Sequence, residues 1–561
     1  MKIDNRYITI GLLVCVFASS CSKSLERIPL SQISDGSFWK TSSDFKQAAN
    51  DFYFSLEGPT LDDNRSDIAF GTSPNNVSDG SYIPSATSGF WDNSYATIRG
   101  CNYLLQKAAQ SSIKGELTEW VAEAHFFRAY TYFNLLKNYG GVPLVRKVLD
   151  ITDSALYGMR PGRSAVIDFI LADLDSAITG LPLQNALTGN DLGRVSRGAA
   201  LALKARAALF EGSWEKFHQG DQFGVEGKDG SDLLALSAQT ASEIMQSKQY
   251  ALYDGKGEES YRYLFLDAGD DCSGCILDHR YDIDFAAQPG AFGNMIMYGE
   301  MVPTKRLVDM YLCTDGLPIS QSKEFDGYDT FTSEFQNRDP RMVQTILTPG
   351  KVVAKPFFPD SSTAPENWPG FTNRPFALTG YMLYKFLSEN PTENSRGRFG
   401  ADWHIIRYAE VLLIYAEARF EQKGSISDAD LDASINLLRD RAGMPHLTNQ
   451  FVQMHGLDMR EEIRRERTVE LAFEGHRLFD LFRWNTARAL MPKAVKGFKY
   501  ENTAWENKEP YASIDFDTDD NGFIIVQPAA ARSFDPNKNY LFPLPLKQIA
   551  LNPQLKQNPG W

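Results

Sequence analysis

The chain has 561 residues, 43% hydrophobic and 23% charged, with a formal net charge of −14 and a pI near 5.1. That length and apolar content suit one large globular body or two intimately packed domains. The negative balance argues against nucleic-acid binding and against electrostatic attraction to an anionic membrane surface.

The N-terminus reads as a processing segment. Lys2 and Arg6 are basic, and residues 8–17 form an apolar run well short of the about 20 residues a spanning helix needs. Ala18, Ser19 and Ser20 then precede Cys21 like a bacterial lipobox, with Ala18 where Leu is usual. Residues 1–20 are therefore expected to be a signal peptide and Cys21 a lipidation site, acyl chains anchoring by about 0.8 kcal/mol per buried methylene.

Helical periodicity dominates the rest of the chain. Residues 117–138 carry Trp120, Ala124 and Phe127 on one face and Phe126, Tyr130 and Phe133 on another. The pattern stops at Gly140-Gly141-Val142-Pro143, a helix exit. Residues 165–179 form its amphipathic partner. The pairing recurs in residues 197–211 with 238–247 and in 405–422 with 428–441, which predicts degenerate tetratricopeptide-type helix pairs. Long segments rich in Gly, Pro, Asn, Asp and aromatics separate them, at 61–88, 255–298, 331–398 and 496–539. Loops of that length on a helical scaffold suit binding.

Residues 461–484, EEIRRERTVELAFEGHRLFDLFRW, are the most distinctive stretch. Read as one helix, they place Arg467, Glu470, Glu474 and Arg477 on a single stripe between apolar flanks. Such a stripe predicts an ion-pair ladder at least partly buried against another element. Removing one partner of a buried pair costs about 3–5 kcal/mol.

Catalytic signatures are missing: the sequence holds no HExxH, Walker A, GxSxG or GxGxxG motif. His125, His279, His404 and His476 lie apart without metal-ligand spacing. Cys272 and Cys275 have CxxC spacing but no second pair to complete a zinc site, so a local disulfide or two idle thiols is expected. Asp517, Asp519 and Asn521 copy the first half of a calcium loop, yet Pro528 stands where a bidentate Glu is required. An Asp/Asn/Gly turn is the stronger reading there, and calcium the weaker.

The functional signal is aromatic. With 9 Trp, 24 Tyr and 36 Phe, many of them in loops, the chain could present flat rings to the C–H faces of sugars, with polar neighbours for the hydroxyls. Candidates are Trp91 with Asn93, Tyr281, Phe285, Tyr298, Trp368 and Trp403. Trp91 is equally suited to the core, and Trp403 adjoins a helix that favours burial. Trp368, between Asn367 and Pro369, is the best placed for exposure.

The 461–484 stretch closely resembles the C-terminal signature of the SusD/RagB family of nutrient-capturing outer-membrane lipoproteins. The resemblance continues in HFFRAYTYFNLLKNYGGVPLV (125–145), MVPTKRLVDMYLCTDG (301–316), RYAEVLLIYAEA (407–418) and YLFPLPLKQIALNPQLKQNPGW (540–561). It implies a mainly α fold with a tetratricopeptide scaffold, an N-terminal region at 21–225 and a C-terminal region at 226–561 packed on it. It also implies a lipid-anchored protein of the outer membrane and cell surface that binds an oligosaccharide and delivers it to a SusC-like TonB-dependent transporter, without being an enzyme and without a cofactor. Two alternatives stay open: a peptide receptor of the RagB branch, and a helical glycoside hydrolase, which would need two carboxylates about 5–9.5 Å apart in a cleft. Residues 22–26, SKSLE, lack the acidic run of surface-exported lipoproteins, so surface display is a separate expectation.

Overall fold

The computed structural model describes residues 35, 38–60, 62–282, 292–330, 332–353, 378–390, 399–509 and 511–561. The principal helices, numbered here in chain order, are α1 (Gly89–Gln110), α2 (Thr118–Tyr139), α3 (Arg163–Gly180), α4 (Arg197–Phe217), α5 (Ser231–Ser247), α6 (Tyr408–Lys423), α7 (Met459–Glu470) and α8 (Arg477–Arg483). The first five pack in sequence, each against the next, and α6 returns from late in the chain to lie on α5 and α4. That is the expected scaffold of helix pairs, closed by a helix that returns from late in the chain. Small residues permit the close approach: Ala409, Ala416 and Ala418 of α6 and Ala200, Ala202, Ala205 and Ala208 of α4 are buried.

The α2 helix ends at the expected glycine pair, and glycine is required there. Gly140 has φ 69°, and a Cβ on Gly141 would lie 2.1 Å from the Pro161 carbonyl oxygen. Buried ion pairs then bind successive helices together. Arg128 of α2 meets Asp173 of α3 at 2.7 Å, and Arg163 of α3 meets Glu211 of α4 at 2.6 Å. Arg206 of α4 pairs with Glu410 of α6.

Three two-stranded antiparallel sheets join distant segments: β1 (Ala69–Gly71) with β3 (Met301–Pro303), β2 (Cys275–His279) with β4 (Trp403–Arg407), and β5 (Val495–Lys499) with β6 (Phe523–Gln527). Two expectations need correction here. Residues 405–407 are strand, because Ile406 and Arg407 are drawn into register with Leu277 and Cys275 of β2 before the helix begins at Tyr408. Residues 428–441 split into Asp428–Asp432 and Ile435–Ala442, with Ser434 at φ −137° between them. One hydrophobic core runs from Phe45 to Leu555 through both halves of the chain.

Candidate functional site

The 461–484 stretch is two helices, not one. α7 ends at Glu470, the chain turns through residues 471–476 with Phe473 at φ 66°, and α8 starts at Arg477. A non-glycine residue in the left-handed region is uncommon, and buried charge on both sides holds it. Glu470 meets Arg407 at 2.7 Å, Arg441 at 2.6 Å and Arg341 at 3.0 Å. Glu474 meets Arg407 and Lys385, each at 2.7 Å. Arg467 reaches Asp480 at 2.8 Å, and Arg477 reaches Asp67 at 2.7 Å. The four stripe residues are buried and paired as expected, but each pairs with another segment rather than along a ladder. Burial alone would raise the Glu470 carboxyl, yet the guanidinium groups of Arg441, Arg407 and Arg341 outweigh it and hold it well below the usual range. Burial pulls Lys385 down to about 8, against the pull of Glu474.

The same corner opens into a cleft of about 660 Å³, within the about 300–1,000 Å³ usual for small-molecule sites. Its walls are residues 304–310 after β3, the start of α7, residues 484–496 leading into β5, and Arg532. Eight basic and three acidic side chains line it, although the chain as a whole carries −14. Asp67 lies between Arg477 at 2.7 Å and Arg306 at 2.6 Å. Its burial is outweighed by those two cations, so its carboxyl stays far below the usual range and is a poor proton donor. Asp309 pairs with Lys305, and Glu461 lies 3.4 Å from Arg464. Arg464 is 7% exposed, with its guanidinium 4.7 Å from the Trp484 ring and 4.9 Å from Phe217. Its Nε and Nη2 find no acceptor among the described residues. Lys493 is exposed and forms no ion pair among the described residues.

The aromatic candidates among the described residues do not assemble into one platform. Trp91, in the first turn of α1, is 4% exposed, its ring 4.9 Å from Tyr95 and 5.2 Å from Tyr139. It is a core residue, as is Trp403, 7% exposed on β4 against Phe292 and Phe386. Both are corrected from ligand contacts to packing, because the helix and strand that carry them turn these positions inward. Asn93 is exposed beside Trp91. Tyr281 is half-buried, stacked on His279 at 4.6 Å, with its backbone N–H donating to Asp402 at 2.8 Å. Tyr298 is exposed at the end of the short helix Phe292–Met297. Since His279 and Trp403 are register partners, Tyr281 and Trp403 share one corner. Phe285, Trp368 and Cys21 lie outside the described residues.

A second surface feature escaped the sequence. Leu546 and Lys547 donate backbone N–H bonds to Ser85 and Ala86, and the Asn552 side chain donates to the Gly158 carbonyl. These bonds gather Ile83, Phe90, Tyr157, Met159, Leu546 and Leu551, all exposed, from three segments. Such a grouping is characteristic of an interaction surface.

Comparison with known proteins settles the family. A model described as "SusD family" matches residues 277–561, just over half of the chain, and one described as "Starch-binding associating with outer membrane" matches residues 30–209. The chain belongs to the SusD family. SusD-like protein P2 of Formosa agariphila is 25% identical over 96% of this chain and 97% of its own length. A SusD-like protein of Bacteroides ovatus is 22% identical, covering 84% of this chain and 81% of its own. Among solved structures, a SusD-like protein from Bacteroides fragilis superposes with a TM-score of 0.74 at 26% identity, covering 95% of this chain and 100% of that one. A SusD-like carbohydrate binding protein from the same species superposes at 0.72 with 24% identity, covering 92% and 100%.

This SusD-family chain carries other groups that can titrate, but they lie away from the cleft. Cys272 and Cys275 place their sulfurs 2.7 Å apart, and the Cys275 sulfur is 3.6 Å from His404 Nδ1. Cys275, Asp278 and His404 could offer three metal-ligating atoms. His404, however, is already engaged at both nitrogens, with Asp278 at 2.7 Å and the Leu264 carbonyl at 2.7 Å. Burial lowers its pKa, Asp278 more than offsets this, and the imidazole rises to about 9. Metal binding there would have to displace that proton. Asp270 and Asp402 are raised by burial, and by each other or nearby acids, to about 7 and about 6. Asp519 of the calcium-like turn is bound by Lys496 and accepts the backbone N–H groups of Asn521 and Phe523 at 2.9 and 3.0 Å. Its carboxylate therefore closes the tight turn between the bridged residues Thr518 and Ile524 that leads into β6, with Asp517 and Asn521 exposed beside it.

Proposed function

We propose that this protein captures oligosaccharides at the outer membrane and passes them to a SusC-like TonB-dependent transporter, breaking no bond itself. The observation that carries this is a large cleft at the signature corner of a SusD-family fold, sized for a small saccharide and built from segments that converge only on folding. The match of residues 30–209 to a starch-binding family and the likeness to a SusD-like carbohydrate binding protein support a sugar ligand. The exposed apolar group around Tyr157 and Leu546 supports a protein partner such as the transporter. Asp67, locked as an ion between two arginines, supports binding over hydrolysis, since a glycosidase needs a carboxyl group that can give up a proton. The lipid anchor at Cys21, and with it display at the cell surface, rests on the sequence pattern.

Calorimetric titration of the purified protein against a panel of oligosaccharides and a pool of peptides tests the reading. Binding by at least one oligosaccharide, returned chemically intact, is the expected outcome. Binding confined to peptides would transfer the protein to the RagB-like alternative, and cleaved products would identify a hydrolase.

A further inference from the structure

We propose that the cleft beside α7 is an anion subsite, one that holds the carboxylate or sulfate groups of an acidic oligosaccharide. The proposal rests on the oligosaccharide reading above and narrows its substrate class.

Three observations carry it. The first is reversal of sign. On a chain of net charge −14, a concave wall with eight basic and three acidic side chains stands out, and a cleft focuses such a field onto an entering anion. The second is incomplete pairing. A few ångströms away the buried arginines each meet carboxylates at 2.5–3.0 Å, as Arg407, Arg341 and Arg483 do. In the cleft wall Arg306 and Arg477 share Asp67 at 2.6 and 2.7 Å, but Arg465 meets Glu462 only at 3.2 Å and Arg464 meets Glu461 only at 3.4 Å. Two Arg464 nitrogens lack any acceptor among the described residues, and Lys493 lacks an ion pair among them. Burial lowers the Arg464 pKa, as expected for a cation short of counter-charge.

The third is convergence from separate walls. Arg306 comes from the segment after β3, Arg464 and Arg465 from α7, and Lys493 from the approach to β5. Arg464 supplies charge from just beneath the wall, while Lys493 supplies exposed N–H donors at the rim. Guanidinium and ammonium groups spaced around a hollow suit planar carboxylates and tetrahedral sulfates, which accept charge-assisted hydrogen bonds. Neutral sugars offer nothing to offset this surplus.

The test is titration of the purified protein with matched neutral, uronate-containing and sulfated oligosaccharides, and with inorganic sulfate alone. At least one acidic series should bind about tenfold or more tightly than its neutral counterpart, a margin set by one charge-assisted bond. That affinity should fall as salt rises from about 0.05 to about 0.5 M. Preference for uronates or for sulfates identifies which anion the subsite serves. Lys493→Glu should weaken acidic binding about tenfold or more while leaving the thermal midpoint unchanged, because the Lys493 side chain forms no ion pair or hydrogen bond among the described residues. Arg464→Gln, checked for folding by circular dichroism, should weaken it in the same direction. Neutral oligosaccharides bound equally well, with no effect of Lys493→Glu, would overturn the anion subsite and leave the oligosaccharide reading standing. Inorganic sulfate bound without any oligosaccharide would also overturn it, and acidic peptides bound in place of sugars would overturn both.

Discussion

The two sides of α7 make opposite use of one set of residue types. Toward the core, Glu466 and Glu470 are 2% and 0% exposed, and they gather Arg341, Arg407, Arg439 and Arg441 at 2.6–3.0 Å. Toward the cleft, Arg464 and Arg465 have only looser contacts with Glu461 and Glu462 on their own helix, at 3.4 and 3.2 Å. Close pairing makes a charge structural, since breaking it strands its partners in low dielectric. Incomplete pairing leaves a charge available to a ligand. Arginine and glutamate counts alone say nothing about which role a residue has.

The sharpest way to break this contrast is at Glu470. Glu470→Gln removes a carboxylate shared by three guanidinium groups, taking from Arg441 the carboxylate it pairs with, and should destabilise the fold by about 3–5 kcal/mol, read from urea unfolding. A loss below about 1 kcal/mol would mean that the network is solvated and that the two sides of α7 do not differ. Trp91→Ala should cost about 3 kcal/mol or more by opening a cavity against Tyr95 and Tyr139. Its ligand affinity, measured on the folded fraction, should be unaltered; a selective loss of binding at full stability would return Trp91 to the site.

Acid probes the paired side. Burial raises the carboxyls of Glu410 and Asp480, but Arg206 outweighs it for the first and Arg467 with Arg483 for the second, leaving both at about 2. A depressed carboxyl contributes stability that is present above its ordinary pKa, 4.5 or 3.8 here, and is lost as pH falls toward 2. Asp270 and Asp402 act in the opposite sense. Raised to about 7 and about 6, they contribute stability that is present below 3.8 and lost as pH rises through those values. Thermal melts across pH should therefore peak between the two windows. A flat profile from pH 3 to 7, flanked by no acid loss, would contradict the assigned pairings. The smallest stability change belongs to Lys493→Glu, within about 0.5 kcal/mol of the parent, whereas its effect on ligand is expected to be the largest of the set.

Much of the fold was legible because it obeys local rules. The 117–138 periodicity and the Gly140-Gly141 stop placed α2 within a residue at each end, and Ala-rich runs marked α4 and α6. The break at 471–476 was not legible. It contains no proline, and the chain leaves the helix there because Glu470 and Glu474 are pulled toward Arg407, Arg441 and Lys385, residues remote in sequence. Trp91 and Trp403 misled for a related reason: composition signals an aromatic, but only packing decides which way it faces. The cleft escaped because its cations come from five separate segments. A trace was present in the basic spacing of Arg488, Lys493, Lys496 and Lys499 within an acidic chain.

Cleft charges serve ligand while core charges serve the fold. Thermal unfolding of the parent protein and of Lys493→Glu, each with and without a saturating acidic oligosaccharide, tests this division in one measurement. The expected result is equal midpoints without ligand, and a ligand-induced rise in the parent that is reduced or lost in the variant. A lowered midpoint in the unliganded variant, or an undiminished rise with ligand, would contradict it.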